Sequence, residues 1–405
     1  MNRTEQSLQA DTPATPVETA ALVNSIILDA VDLGASDVHI EPWAERIGVR
    51  VRVNGILQEL VYLPLEFRDR IVGRFKVMAN LASHLHGVPQ DGKATLDAEM
   101  GGAEMRVSIF PTVLGEKVVL RLFSSKNRTY DLRALGLDEE TSNTYLSILN
   151  KPGGLILLTG PTGSGKTTAI YASISYLFEK HGPTISMASV EDPVEVNLAN
   201  VNQAQLNPAM EFTYPIALRS LMRQDPQIIM IGEIRDVDTA QIAVQAGMTG
   251  HLVLSTIHSG STSGVFARLI NMDIEPFLLA SSIIGVLGVR LVRASCQHCL
   301  EPHAPDPLAM LMVPDAIRET AQFYHGAGCD QCRGTGFTGR TAITELLAVN
   351  EDIREAVISK RPTRAIQALA VEKGMKTLWD IGLQKALDGQ TTLDEVIKVV
   401  ASDQL

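Results

Sequence analysis

The sequence predicts an α/β protein: a mostly parallel sheet with helices, preceded by a smaller N-terminal α/β domain. Three observations carry this. From Leu137 onward, short apolar runs of strand length (GLILLT, TISMASV, QIIMIG, HLVLST) alternate with helical patterns. Gly160-Pro161-Thr162-Gly163-Ser164-Gly165-Lys166-Thr167 fits the phosphate-loop pattern G-x-x-x-x-G-K-[ST], and it lies between one such run and a helical pattern. Before residue 126 the periodicity is that of a helix followed by hairpins.

Each element follows in order. Residues 1–16 are polar, contain Pro13 and Pro16, and read as a flexible tail. From Val17 a helix is predicted, with Ala20, Val23, Ile27, Ala30 and Val31 at helical spacing and Gly34 as its stop. In IGVRVRVNGIL, Ile47, Val49, Val51 and Val53 alternate with Gly48, Arg50 and Arg52, and Asn54-Gly55 signals a hairpin. The arginine face reads as solvated. EMRVSIFPTVLGEKVVLRLF gives a second strand pair, with Arg106 and Arg121 flanking a turn near Pro111 to Gly115. Residues 17–125 are therefore expected to form the N-terminal α/β domain and 126–136 a linker. The nucleotide-binding core is expected over 137–295 and a four-cysteine lobe over 296–345. A helical region is expected over 346–405, broken at Arg361-Pro362, Gly374 and Gly389.

Composition bounds the function. The chain has 405 residues, 45% hydrophobic and 20% charged, as expected of a globular protein with a sizeable core. A net charge of -11 speaks against a nucleic-acid binder held by bulk charge. No apolar run reaches the roughly 18 residues of a membrane span. MNRTEQSLQADTPATPVETA has no apolar core and reads as no secretory signal, so a cytoplasmic protein is expected. The four cysteines form two C-x-x-C pairs, Cys296/Cys299 and Cys329/Cys332. Four thiolates suit a closed tetrahedral Zn²⁺ site, and His298 between two of them is not expected to be a ligand.

The chemistry centres on the phosphate loop. Its glycines let backbone N–H groups turn toward phosphates, and the following helix N-terminus favours the anion. Lys166 is expected on the β- and γ-phosphates and the Thr167 hydroxyl on Mg²⁺. IIMIGEIRD is a buried strand whose end carries Gly232 where nucleotide-hydrolysing folds usually place a metal-holding aspartate, leaving Glu233 to orient or deprotonate water. Glu191, Asp192 and Glu195 follow another strand and are candidates to hold Mg²⁺ or its waters; a solvated acidic turn is the alternative. His258, at a strand end, is a candidate γ-phosphate sensor. His251, at that strand's beginning, is a weaker one.

GPTGSGKTT (which adds Thr168), SVEDPVE, RQDPQIIMIGEIRD and TGHLVLSTIHS resemble, in order and spacing, the Walker A, aspartate, Walker B and histidine boxes of the secretion and pilus motor ATPases. ASDVHIEPW, RVRVNGIL and RVSIFPTVLGEKVVLRLF resemble that family's second N-terminal domain, and GMKTLWDIGLQKALDGQTTLDEVIKV its C-terminal part. The resemblance covers nearly all of residues 20–400. It implies a RecA-like P-loop ATPase core in a homo-hexameric ring that hydrolyses ATP. The two domains would move against each other and drive an inner-membrane platform protein that adds pilin-like subunits to a fibre. It also implies that Glu233 is the catalytic glutamate, and that arginines reach the nucleotide from the N-terminal domain or a neighbouring subunit. Arg106, Arg121, Arg219, Arg223 and Arg235 sit in matching motifs.

Assembly and secretion motors of the family carry a four-cysteine zinc-binding lobe, which retraction motors typically lack, so the resemblance favours fibre extension. VDTAQIAVQAGMTGHL and RLINMDIEPFLLASSIIGVLGVRLVR resemble the type II secretion ATPases more than the pilus assembly ones. Two departures stand out. Only a short polar tail precedes the N-terminal α/β domain, so the larger N-terminal domain of many members is expected to be lacking. His258 is followed by SGSTSG where relatives usually have Thr-Asn. The alternatives are a type IV pilus assembly or DNA-uptake motor, a RecA-like nucleic-acid translocase, and a non-catalytic nucleotide-binding module. The acidic balance opposes the translocase, and intact Lys166, Thr167 and Glu233 oppose the non-catalytic module.

Overall fold

The computed structural model describes residues 2–9, 19–96, 104–123 and 130–401, which fall into two compact units, Met1–Arg128 and Thr129–Leu405.

In the first unit the described part of the tail departs from expectation. Arg3–Gln9 is a helix, α1, because its N-terminus is capped from a distance: Thr4 is fully buried, and its N–H (2.8 Å) and hydroxyl (2.6 Å) both donate to Asp29. Residues 10–16 lie outside the described part. Asp29 belongs to α2 (Thr19–Asp32), which buries Leu22, Val23, Ile26, Ile27 and Ala30, the stripe predicted by helical spacing. The next elements are β1 (Asp37–Pro42), β2 (Ile47–Val53), β3 (Ile56–Leu63), α3 (Arg68–Met78), β4 (Gln90–Thr95), β5 (Glu104–Thr112) and β6 (Gly115–Phe123). The strands form one antiparallel sheet in the order β3-β2-β1-β6-β5-β4. Asn54 and Gly55 both take positive φ in the β2–β3 turn. Alternation buries Val38, Ile40, Val49, Val51, Val107, Ile109, Val118 and Leu120 against α2 and α3.

The other face is solvent-accessible, as expected, and its exposed and half-exposed cations pair with two buried acids. Asp37 receives Arg121 at 3.1 Å and Arg52 at 3.8 Å; Glu41 receives Lys117 at 2.6 Å and Arg50 at 2.7 Å. The register carries Arg52, Asp37, Arg121, Arg106 and Lys93 across five strands in one row. Arg106 stands directly opposite Arg121, so like charges face each other there.

The second unit opens with the 3₁₀ turn Leu132–Leu135, whose buried Leu135 joins the core, so this part of the expected linker is packed structure. Then come α4 (Glu139–Leu149), β7 (Gly154–Thr159), α5 (Lys166–His181), β8 (Met187–Glu191), β9 (Asn202–Gln205), α6 (Tyr214–Leu221), β10 (Ile228–Ile231), α7 (Val237–Met248), β11 (Leu252–Ile257), α8 (Gly264–Ile270), α9 (Pro276–Ser282) and β12 (Ile283–Ser295). A small lobe carries β13 (Leu300–His303), α10 (Pro307–Met310), α11 (Asp315–Arg318) and β14 (Phe323–Gly326). The chain returns through β15 (Phe337–Ala348) and ends in α12 (Glu351–Ile358), α13 (Thr363–Glu372), α14 (Leu378–Leu387) and α15 (Leu393–Ala401).

The main sheet runs β15-β12-β7-β11-β10-β8-β9, parallel except for β15 at one edge. Its apolar strands are buried on both faces, as a parallel sheet covered by helices requires. β15 pairs along almost the whole of β12, so the expected lobe boundary at residue 345 falls inside a strand of the main sheet. The Gly374 and Gly389 breaks do separate α13, α14 and α15.

Candidate active site at the carboxyl edge of the parallel sheet

Strands β7, β11, β10 and β8 run parallel, so Thr159, Ile257, Ile231 and Glu191 end at one edge, where open α/β sheets bind ligands. The phosphate loop leaves β7 there. Gly160 sits at φ +150°, and a Cβ would fall 2.5 Å from Val289 O and 2.7 Å from Arg290 Nη1, so no side chain fits. Gly165 caps α5 with φ +100°. Pro161, Thr162 and Gly163 are exposed, Thr167 is half-buried in the first turn of α5, and Thr168 is exposed beside it. The buried Ser164 hydroxyl has no hydrogen-bond partner. Lys166 Nζ donates to its own loop, to Gly160 O at 2.7 Å and Pro161 O at 2.8 Å. Burial holds its pKa below the ordinary lysine value; Arg290 adds to this and Glu233 opposes it. A glycine cradle, an unpaired buried hydroxyl and a half-buried ammonium on a helix N-terminus fit a polyphosphate.

Glu233 follows β10. His258 Nε2 lies 2.7 Å from its Oε1, and Arg235 binds its other oxygen, an attachment that raises the Arg235 pKa. The structure therefore brings Lys166, Glu233, His258 and Arg235 to one edge. The question posed by Gly232 has a steric answer: a Cβ there would meet the Tyr214 hydroxyl at 2.7 Å. Tyr214, buried on α6, fills the space that an aspartate would need, and burial pushes its phenol pKa up.

The acidic triplet divides. Glu191 is 2% exposed and both its oxygens are taken: Tyr171 donates to Oε2 at 2.5 Å, while Ser189 (2.6 Å) and Gln203 (2.9 Å) donate to Oε1. As placed, it braces α5 against β8 and β9, where spacing made it a candidate for Mg²⁺ or its waters. Asp192 and Glu195 are exposed at the same edge. His251 is also not brought to the site. It lies at the opposite end of β11, roughly 20 Å of strand away from His258, with Nδ1 3.2 Å from Ala246 O and from Thr249 Oγ1. Arg219 and Arg223 are exposed on and after α6, where Arg223 donates to the carbonyl of Arg219. Arg106 and Arg121 belong to the other unit.

Sequence reasoning missed Tyr171, Tyr214 and Arg290. Arg290 is the legible one: a single charge inside the otherwise apolar IIGVLGVRL of β12, buried beside the phosphate loop.

In the lobe, the four cysteine sulfurs lie within 4.8 Å of one another, with Cys296–Cys329 at 3.9 Å, Cys299–Cys332 at 3.8 Å and Cys329–Cys332 at 3.8 Å. A tetrahedron with Zn–S bonds of ~2.3 Å has edges of ~3.8 Å, so the donor set fits zinc. Burial raises the Cys332 thiol pKa, but N–H groups of Cys329 (3.1 Å) and Gly336 (3.3 Å) and the neighbouring thiols outweigh it and bring it down to about 6. His298 is not among the ligand-spaced groups.

The family described as Type II/IV secretion system protein matches residues 12–398. The chain belongs to that family. Its relatives include the type IV pilus assembly ATPase PilB of Myxococcus xanthus, 41% identical over 95% of this chain and 68% of that one. The type II secretion system protein E of Aeromonas hydrophila is 39% identical over 99% of this chain and 79% of that one. The solved ATPase DotB of Legionella pneumophila shares the fold, with a TM-score of 0.70 over 96% of this chain and 98% of that one at 17% identity. This member of the family is therefore a P-loop ATPase with a RecA-like core, and it hydrolyses ATP. Among the described residues no helix is long and apolar enough to cross a membrane.

Proposed function

We propose that this chain is a homo-hexameric motor that converts ATP hydrolysis into the addition of pseudopilin or pilin subunits to a fibre for type II protein secretion. It would work at the cytoplasmic face of the inner membrane through a platform protein. The observation that carries the reading is the convergence of Lys166, Glu233 and His258 at one sheet edge in a chain whose relatives are secretion and pilus ATPases. In this reading the loop Gly160–Thr167 and Thr168 hold ATP, Lys166 turns from its own carbonyls to the β- and γ-phosphates, and Thr167 and the exposed Asp192 and Glu195 face Mg²⁺ and its waters. Glu233 accepts the proton of the attacking water, and His258 holds Glu233 and senses the γ-phosphate. Arg235, Arg219, Arg223, Arg106 and Arg121 are the candidate charges for the transferred phosphoryl group. Zn²⁺ on the four cysteines staples the lobe.

Pilus assembly is the second reading, and the Myxococcus relative at 41% identity favours it as much as the Aeromonas one at 39% favours secretion. The deciding experiment is a pull-down from membranes with Glu233→Gln as an ATP-loaded trap. A platform protein with secretin and pseudopilin components supports secretion. A platform protein with major pilin and a retraction motor replaces it with pilus assembly. DNA-stimulated hydrolysis without membrane partners would indicate a translocase instead.

A further inference from the structure

The loop after His258, residues 259–263, is gripped from three strands. Thr159 Oγ1, at the end of β7, donates to Ser259 O at 2.9 Å and accepts from Ser259 N at 3.1 Å. Arg290 on β12 donates from Nη2 to Gly260 O at 3.1 Å. Thr262 donates its hydroxyl to Glu345 Oε1 on β15. Arg290 is 2% exposed and Glu345 5% exposed, so both charges are buried where nothing but specific partners stabilises them.

The register explains how the loop reaches them. Gly288 pairs with Glu345, and the period of two puts Gly288, Arg290 and Glu345 on one face of the sheet. A Cβ on Gly288 would lie 3.0 Å from Thr262 Cγ2, so glycine at this position leaves room for the loop to lie on the strand. Arg290 also lies against the phosphate loop: its Nη1, with Val289 O and Ser164 Oγ, is among the atoms that a side chain at Gly160 would strike. Glu345 faces two ways. While Oε1 takes Thr262, Oε2 accepts from Gln367 Nε2 in α13 and from Leu378 N at the start of α14, both at 3.3 Å.

We propose that Arg290 and Glu345 are positioning residues for hydrolysis. Together they clamp residues 259–263 so that His258 stays against Glu233, and Glu345 couples the place of that loop to α13 and α14. The SGSTSG that follows His258 thereby acquires a role, since Thr262 is the donor that engages Glu345. The proposal rests on the reading of Glu233 and His258 given above. It involves no new chemical step: the hydrogen bonds of Glu345 go to Thr262, Gln367 and Leu378, and it acts through the loop.

The test is steady-state hydrolysis by the full chain. Thr262→Val removes the donor at constant shape, and is expected to lower kcat about tenfold with KM within about twofold, because the loss falls on the transition state. Thr262→Ser restores the donor and is expected to recover kcat. Glu345→Gln is expected to reproduce the kcat loss. Glu233→Gln is run alongside. If it turns over normally, the reading of the site falls; if it is inactive while Thr262→Val keeps wild-type kcat, only the clamp falls. A rise in KM alone in Thr262→Val also overturns the clamp. Hydrogen exchange on the wild-type chain needs no variant to fold. A non-hydrolysable ATP analogue is expected to protect residues 259–263 and the first turn of α14 together, and protection of the loop alone overturns the coupling.

Discussion

Gly232 shows how a single position is decided. The strand before it ends like a metal-holding strand, yet its side-chain space belongs to the Tyr214 hydroxyl. Gly232→Ala is expected to cost ~1–3 kcal/mol as overpacking in a close-packed site. Adding Tyr214→Phe removes the obstructing oxygen, and the pair is expected to recover about half of that loss or more. Denaturant melts of the two single variants and the double variant measure the coupling; strictly additive losses would contradict the steric account. Glu233 is the complementary case, where chemistry rather than space decides. Glu233→Gln keeps the shape and loses the proposed base, so ATP should still bind while phosphate release falls by roughly 10²–10⁴-fold. Turnover near the wild-type rate would remove Glu233 from the role of base.

At the scale of elements, ion pairs on both faces of the first sheet make stability depend on acid: Glu41 lies on the charged face, and Glu116 on the helix-packed face against Lys76 of α3. For both Glu41 and Glu116, burial by itself would raise the carboxyl pKa. Hydrogen bonds from Lys117 and Arg50 to Glu41, and from Lys76 and His86 to Glu116, reverse the sign and leave both below the ordinary 4.5. Folded pKa values below the unfolded ones mean that the stabilisation is complete above about pH 4.5 and fades as pH falls through the lowered values. The two tryptophans, Trp43 and Trp379, fall one in each unit. A Trp379→Phe chain therefore reports the first unit by fluorescence. It should lose stability on acidification below that range, and Glu41→Gln should flatten the slope; an unchanged slope would contradict the ionic account.

The lobe carries its own test. Its hydrophobic cluster is small, with Ala309, Val313 and Phe323 packed against Leu383, Ala386, Leu393 and Val396 of α14 and α15. The four thiols must therefore contribute much of its order. Protein purified without chelator is expected to carry a single zinc, and stripping it should lower the thermal midpoint by about 2 °C or more. Metal analysis that finds no zinc would end this assignment.

At the scale of the whole molecule, the proposal of a closed ring makes a mass prediction. With a non-hydrolysable ATP analogue the chain should sediment at about six times its 43.8 kDa, in keeping with closed cyclic symmetry. A monomer under those conditions would overturn the motor reading.

What could be read from the sequence alone was whatever is encoded locally. The phosphate loop, the four strand cores and the Asn54-Gly55 turn depend on spacing, periodicity and backbone preference within a few residues, and the two C-x-x-C pairs carry their chemistry in their composition. What required the tertiary structure was everything set by residues distant in the chain. Glu191 reads from spacing like its exposed neighbours Asp192 and Glu195, but the fold buries it and brings Tyr171 and Gln203 to its oxygens. Residues 3–9 look like a tail until Asp29 caps them. The run 337–348 carries no strong strand pattern and becomes one because β12 offers a ladder. Arg290 and Glu345, separated along the chain, meet the loop after His258 only through cross-strand register. Buried polar groups must find partners, and in a sheet assembled from distant segments the register decides which partners they find.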